Sequence, residues 1–197
     1  ISLCCGERLP LPAWMEKTAV KNGVLLGMCA LLVLFAVLLG CNITAQNLVE
    51  RDASLENLER AAALDPFEKA DHMLSYVAQV TGSGAEGDIR RKADGYAGRL
   101  GRIDSNIIPY YLAAYYLDGG RVEQGLEQAE RYVRYVSADE DVWRDTFRLL
   151  EEYEQDTAEY RAGVARIAEL LDEWNEENMG EIVLDEQSQT FIARMRS

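Results

Sequence analysis

An uncharged apolar run from Gly23 to Ile43 limits what this chain can fold into more than any other feature. Within it, Val24–Leu39 is almost wholly Leu, Val, Ala, Phe, Met and Gly. Wound as a helix rising ~1.5 Å per residue, the run reaches about 30 Å, the thickness of a bilayer's hydrocarbon core. A helix of that length in a water-soluble protein would break its apolar residues with polar ones every turn or so, because one face meets water. This run does not. The sequence therefore predicts a transmembrane helix over 23–43, with 1–22 as the end of a preceding membrane segment and a cytoplasmic connection.

Charge divides at the same place. The chain carries 20 basic and 34 acidic residues. Ahead of the run, Arg8, Lys17 and Lys21 face Glu7 and Glu16, a small basic excess, and the whole acidic excess follows it. Basic residues close to a span favour the cytoplasmic side. The expected location is the cell membrane, with 44–197 extracytoplasmic. A domain this acidic repels phosphate backbones and anionic headgroups, so nucleic acid is not an expected partner and membrane contact is expected through 23–43. The same acidity also serves simply to keep a domain soluble.

Cys4, Cys5, Cys29 and Cys41 lie in or beside the membrane part, and no cysteine follows. The domain beyond is expected to be neither disulfide-stapled nor built on a zinc–thiolate site. Cys4 and Cys5 read as small apolar residues of a membrane segment, with palmitoylation as the alternative. The run is long for the core of a cleaved signal peptide and starts far from residue 1. Three readings stand. In the first it is the last span of a polytopic protein. Ile1–Gly6 then resembles the tail of another apolar segment, and Glu7–Lys21, with Pro10 and Pro12, a short connection. In the second, translation starts at Met15, Lys17 and Lys21 form a basic leader, and Leu38-Leu39-Gly40-Cys41 resembles a lipobox lipidated at Cys41. Leu39 stands there where a smaller or β-branched residue is usual, and the polar spacer after Cys41 is short. In the third the run is a single-pass anchor. The pairs Gly23/Gly27 and Ala36/Gly40 would let another helix approach closely. Asn42-Ile-Thr44 fits a glycosylation sequon but abuts the membrane, where chance is the simpler explanation.

Past the run, apolar residues recur at three- and four-residue spacing, the signature of amphipathic helices. Leu48, Leu55, Leu58 and Ala62 read as one helix closed by Asp65-Pro66. Phe67–Thr81 follows, with Met73, Leu74, Val77 and Val80 on one face. Gly82–Gly87 is a turn, Asp88–Leu100 a weaker helix, and Ile107–Leu117 a strong one ending at Gly119-Gly120. Val122–Val136 comes next. Ser137-Ala-Asp-Glu140 has capping-box spacing and opens a helix through Glu154. Thr157–Asn175 is the last long helix. Glu181–Asp185 is short and compatible with extended chain, and Gln187–Arg196 with a final turn or two of helix, so 179–197 is expected to be a cap or a loosely docked tail.

The helices also show a repeat. Leu112-Ala113, Tyr116, Gly120, Gly125 and Ala129 fall at the relative places of the ~34-residue tetratricopeptide pattern, and Trp143 stands one repeat length beyond Pro109. Leu58, Ala61 and Pro66 match the end of an earlier unit, whereas 67–105 fits poorly. The fold class predicted is all-α: one transmembrane helix followed, over 44–178, by a short α-solenoid of degenerate tetratricopeptide-like helix pairs. Such pairs bury their apolar faces only by stacking.

No catalytic constellation, cofactor motif or metal motif emerges. His72 is the only histidine, which rules out sites built on several. Gly82-x-Gly84-x-x-Gly87 spells the dinucleotide fingerprint but lacks a preceding strand and reads as a turn. His72, beside Asp71, reads as a surface or groove histidine. The tyrosines Tyr110, Tyr111, Tyr115, Tyr116, Tyr132 and Tyr135 are expected mostly to wedge between helix pairs. Tyr110 falls at a position that in tetratricopeptide folds tends to face the concave groove. Arg144 and Arg148, with Asp141 and Glu151 nearby, would be offered to the same groove. These residues could hold a peptide or sugar, but core packing with surface ion pairs is the simpler account of them.

A late span leading from Gly40 into Leu58-Glu-Arg-Ala-Ala-Ala-Leu-Asp-Pro-Phe67, followed by degenerate repeats, resembles the C-terminal part of bacterial O-antigen ligase/polymerase-like membrane proteins. The resemblance implies an extracytoplasmic, non-catalytic interaction domain attached to a polysaccharide-assembling enzyme whose chemistry resides in upstream spans. It would dock an envelope protein or glycan along its groove. The competing class is a cell-envelope lipoprotein interaction module lipidated at Cys41.

Overall fold

The computed structural model describes residues 18–180 and 182–197, so expectations placed on Ile1–Lys17 lie outside it. Among the described residues there are nine helices and no strand. They are α1 (Thr18–Arg51), α2 (Leu55–Leu64), α3 (Lys69–Val80), α4 (Gly87–Leu100), α5 (Ile108–Asp118), α6 (Val122–Tyr135), α7 (Glu140–Glu152), α8 (Ala158–Glu177) and α9 (Glu186–Arg196).

Helix α1 is the one helix among the described residues long and apolar enough to cross a membrane. It does not stop at Ile43. No Gly or Pro interrupts 43–51, and the first polar residues bond back onto their own helix. Thr44 Oγ donates to the Gly40 carbonyl at 2.7 Å and Asn47 Nδ2 to the Ile43 carbonyl at 2.8 Å. The apolar stretch is exposed (Leu26 71%, Leu31 67%), whereas Ala45 is fully buried against the domain. Leu48 therefore belongs to α1, contrary to the spacing argument that joined it to Leu55. The break comes at Asp52–Ser54, where Ser54 is extended and α2 starts.

Most other boundaries fall within two residues of expectation. The start of α7 differs in mechanism: its cap is Asp139, whose carboxylate accepts the Asp141 N–H at 3.0 Å, not Ser137. The Ser137 carbonyl instead accepts the Trp143 indole N–H at 2.8 Å.

Each helix packs on its successor or its next-but-one neighbour. Helix α1 meets α2, α2 meets α3, and α3 meets both α4 and α5; α5 meets α6, α6 meets α7 and α8, and α9 closes on α7 and α8. Two apolar clusters result. One, from α2 to α5, holds Leu58, Tyr76, Val77, Leu100 and Leu112. The other, from α5 to α9, holds Leu126, Trp143, Phe147, Tyr160 and Phe191. Helix α5 feeds both, Leu112 and Tyr115 into the first and Ala113 and Leu117 into the second, which is why its sequence is apolar nearly all round. Two glycines set how closely the helices of the second cluster approach. A Cβ at Gly125 would lie 2.5 Å from Leu117 Cγ, and one at Gly163 would overlap the Leu126 side chain. Either methyl would overpack the interface and force neighbours off their rotamers.

Ile182, Leu184, Phe191 and Met195 lie in the second cluster. The chain reverses through Met179 and Gly180, both at positive φ. Ile182 and Leu184 then turn inward around exposed Val183. Asn175 brackets this segment, its amide donating to the Ile182 carbonyl and accepting the Ile182 N–H, both at 3.0 Å. Asp185 caps α9 by accepting the Ser188 N–H at 2.8 Å. The 11-residue α9 then buries Phe191 and Met195 in the second cluster.

Candidate functional site

One polar cluster sits where α1 joins the domain. Pro66 cannot continue α2, and Asp65 finishes both ends of the turn. Its N–H bonds the Ala61 carbonyl at 2.8 Å, closing α2. Its carboxylate accepts the N–H groups of Phe67 (2.8 Å) and Glu68 (3.0 Å), opening α3. Two side chains from elsewhere complete the set: the Asn42 amide of α1 at 3.1 Å and His72 Nε2 of α3 at 3.0 Å. Asp65 and His72 are both buried. Burial alone would raise the Asp65 carboxyl, but the Glu68 and Phe67 N–H groups, Asn42 and His72 outweigh it and hold the group at about 2. A carboxylate only accepts, so His72 Nε2 carries the shared proton.

His72 is thus neither a surface nor a groove residue. Its partner is Asp65, while Asp71 points to solvent. The Asn42 side chain, first residue of the sequon, is engaged by the same carboxylate. Cys41 beside it is half-buried within the unbroken α1. Asp65, Glu68 and His72 place one ligand atom each within 4.8 Å of one another, a spacing that would suit a divalent ion. In the arrangement seen, both carboxylates accept from donors and His72 Nε2 is turned to Asp65: Gln46 Nε2 reaches Glu68 at 3.2 Å just as Asn42 reaches Asp65. The cluster acts as a clamp joining α1 to the α2–α3 turn.

Each groove residue named from sequence has partners within the domain. Tyr110 is half-buried, its ring 5.6 Å from that of Tyr111 and 5.3 Å from that of Tyr132. Burial first, then the charges of Asp145 and Glu152, raise its phenol. Burial and Asp145 do the same for Tyr132, and burial and Glu152 for Tyr153. The patch is therefore tyrosine ringed by carboxylate. Arg144 spends its guanidinium on Glu140 and Asp141 of its own helix, at 3.0 and 2.7 Å. Arg148 reaches the Asp185 carboxylate at 2.9 Å, next to a Glu151–Gln187 bond, so that stripe of α7 faces α9.

Among the remaining tyrosines, Tyr115 is fully buried, with its hydroxyl donating to Asp94 at 2.8 Å and the Arg90 guanidinium 4.3 Å above its ring. Burial and the Asp94 bond push its phenol up to about 12. Arg121 lies 4.6 Å over Tyr116. Tyr135 is exposed and bonded to Asp104.

Sequence reasoning did not find a cleft of about 230 Å³ whose apolar floor is Val133, Trp143, Leu170 and Trp174. The signal available was that two of the chain's three tryptophans lie in α7 and α8. Comparison with protein-family models, curated proteins and solved structures finds no match.

Proposed function

We propose that the chain is a membrane-tethered, extracytoplasmic interaction domain: a tetratricopeptide-like stack of helix pairs that binds a partner protein or glycan and turns nothing over. The single observation that carries this reading is that α1 passes without a break from an exposed apolar stretch into a buried contact at Ala45. A helix of that kind holds its domain against a membrane without a flexible linker. The neighbour pattern of the helices, each on its next or next-but-one, supports the repeat reading, as do Gly125 at a close approach and Ala129 in the buried core. The resemblance to O-antigen ligase/polymerase-like proteins supports placing the domain beside glycan assembly.

Within that reading, the contact surface is Tyr110 with Tyr111, set edge-on to each other over buried Tyr132, with the Asp145 and Glu152 carboxylates as acceptors for a ligand's hydroxyls. Aromatic faces with carboxylate acceptors suit sugar hydroxyls. The full chain, held in lipid nanodiscs, should bind lipid-free cell-envelope repeat-unit oligosaccharides in a calorimetric titration. Tyr110→Ala should weaken that binding roughly tenfold, the loss of an aromatic anchor worth about 1–2 kcal/mol. Arg148→Ala, which removes only the tie to α9, should leave the affinity unchanged. Binding indifferent to Tyr110 would remove the patch from the reading, and turnover of the oligosaccharide would overturn the non-catalytic role.

A further inference from the structure

The height of the α2–α3 turn relative to α1 is fixed by the fold. The first three helices run up, down and up. Helix α1 ends at Arg51, α2 returns, and α3 climbs back until Gln79 donates to the Ala53 carbonyl at 2.6 Å in the α1–α2 turn. The α2–α3 turn is therefore at the opposite end. Its ties to α1 run from Asn42 to Asp65 (3.1 Å) and from Gln46 to Glu68 (3.2 Å). Asn42 adjoins Ile43, the last residue of the apolar run.

This turn is apolar on its outside. Leu64 is 42% exposed and Phe67 56%, with Pro66 exposed between them. Single exposed apolar residues are ordinary. Three within four positions, at the level where the apolar run of α1 ends and beside exposed Ile43, are not explained by the packing of the domain. The charged residues Glu68 and Lys69 follow immediately and begin the helix that climbs away.

Given the reading of α1 as a span, we infer that the Leu64–Phe67 turn is seated in the interfacial layer of the same bilayer. Leu64, Pro66 and Phe67 enter the acyl boundary, and Glu68 and Lys69 stay among headgroups and water. The occupant of this surface is lipid. The acidity of the domain does not oppose the contact, because apolar burial drives it, the Asp65 carboxylate within the turn is buried and turned onto its own donors, and the next charges, Glu68 and Lys69, are one of each sign. A lone membrane helix leaves its domain free to tilt. A second contact one helix-packing distance away, about 8–10 Å, fixes which face of the domain looks down.

Spin labels test this on the full chain, with Cys4, Cys5, Cys29 and Cys41 replaced by alanine, in phosphatidylcholine vesicles. Labels are placed singly at Val33→Cys in the run, Phe67→Cys in the turn, and Ser83→Cys in the α3–α4 turn at the far end of α3. The readout is accessibility to oxygen relative to a water-soluble nickel complex. The inference expects the ratio at 33 to be highest, that at 67 intermediate and several-fold above 83, and the same order with Leu64→Cys in place of Phe67→Cys. A lipid-like ratio at 33 with 67 and 64 equal to 83 would overturn the seated turn and leave the span intact. A water-like ratio at 33 would overturn the span itself, and the inference with it.

Discussion

Truncating Phe191 to alanine is expected to destabilise the domain by about 3–5 kcal/mol, the usual cost of removing a fully buried phenylalanine. Phe191 is 1% exposed and lies in the same cluster as Trp143, Phe147 and Ile167. Its helix is held on both sides, by the Arg148–Asp185 pair and by Arg194 reaching Glu154. These surface pairs contribute little on their own, so the ring is what anchors the helix. Urea unfolding of the full chain in detergent micelles, followed by tryptophan fluorescence, measures the change. A loss below about 1 kcal/mol would mean that α9 is the loosely docked tail allowed by the sequence, since a frayed end carries little of the global stability.

Replacing Asp65 by alanine is expected to cost about 2–4 kcal/mol, because it orphans the donors of Asn42, Phe67, Glu68 and His72 together. The carboxylate also makes stability depend on pH in a defined window. Its folded value of about 2 lies below its ordinary value of 3.8. The folded state therefore favours the charged form, and the contribution, about 2 kcal/mol, is complete above the ordinary value and lost as pH falls toward 2. Asp65→Asn removes the titrating group. Urea midpoints of wild type and Asp65→Asn, measured from pH 5 down to 2, should differ most at pH 5 and converge at the acid end. A constant difference across that range would show that the carboxylate's charge plays no part in the clamp.

How much of this was legible in the sequence depended on how local the cause is. The apolar run of α1 needs only its own hydropathy, and α5 and α6 need only their spacing and the Gly119-Gly120 turn. The clamp was half visible: Leu64-Asp65-Pro66 marks a helix end, but the distant partners of Asp65 come from a histidine in the next helix and from Asn42 at the end of the apolar run. Asp71, adjacent in sequence, does not meet His72, because neighbouring positions on a helix point about 100° apart. On α7 it is Asp145, one position past Arg144, whose charge acts on Tyr110. The docking of α9 was hidden because Ile182, Leu184, Phe191 and Met195 are sparse in a polar segment. Their burial depends on surfaces of α7 and α8 that short-range pattern does not describe.

The claim on which the rest depends is that α1 crosses a membrane and leaves the helical domain outside. A cysteine introduced at Ser83, exposed in the α3–α4 turn, should react with an impermeant thiol reagent in intact cells, or in spheroplasts where an outer membrane is present. The cysteines within the apolar run should stay largely silent. Labelling of Ser83→Cys without lysis is the result this topology requires. Labelling only after lysis would place the domain in the cytoplasm and contradict it.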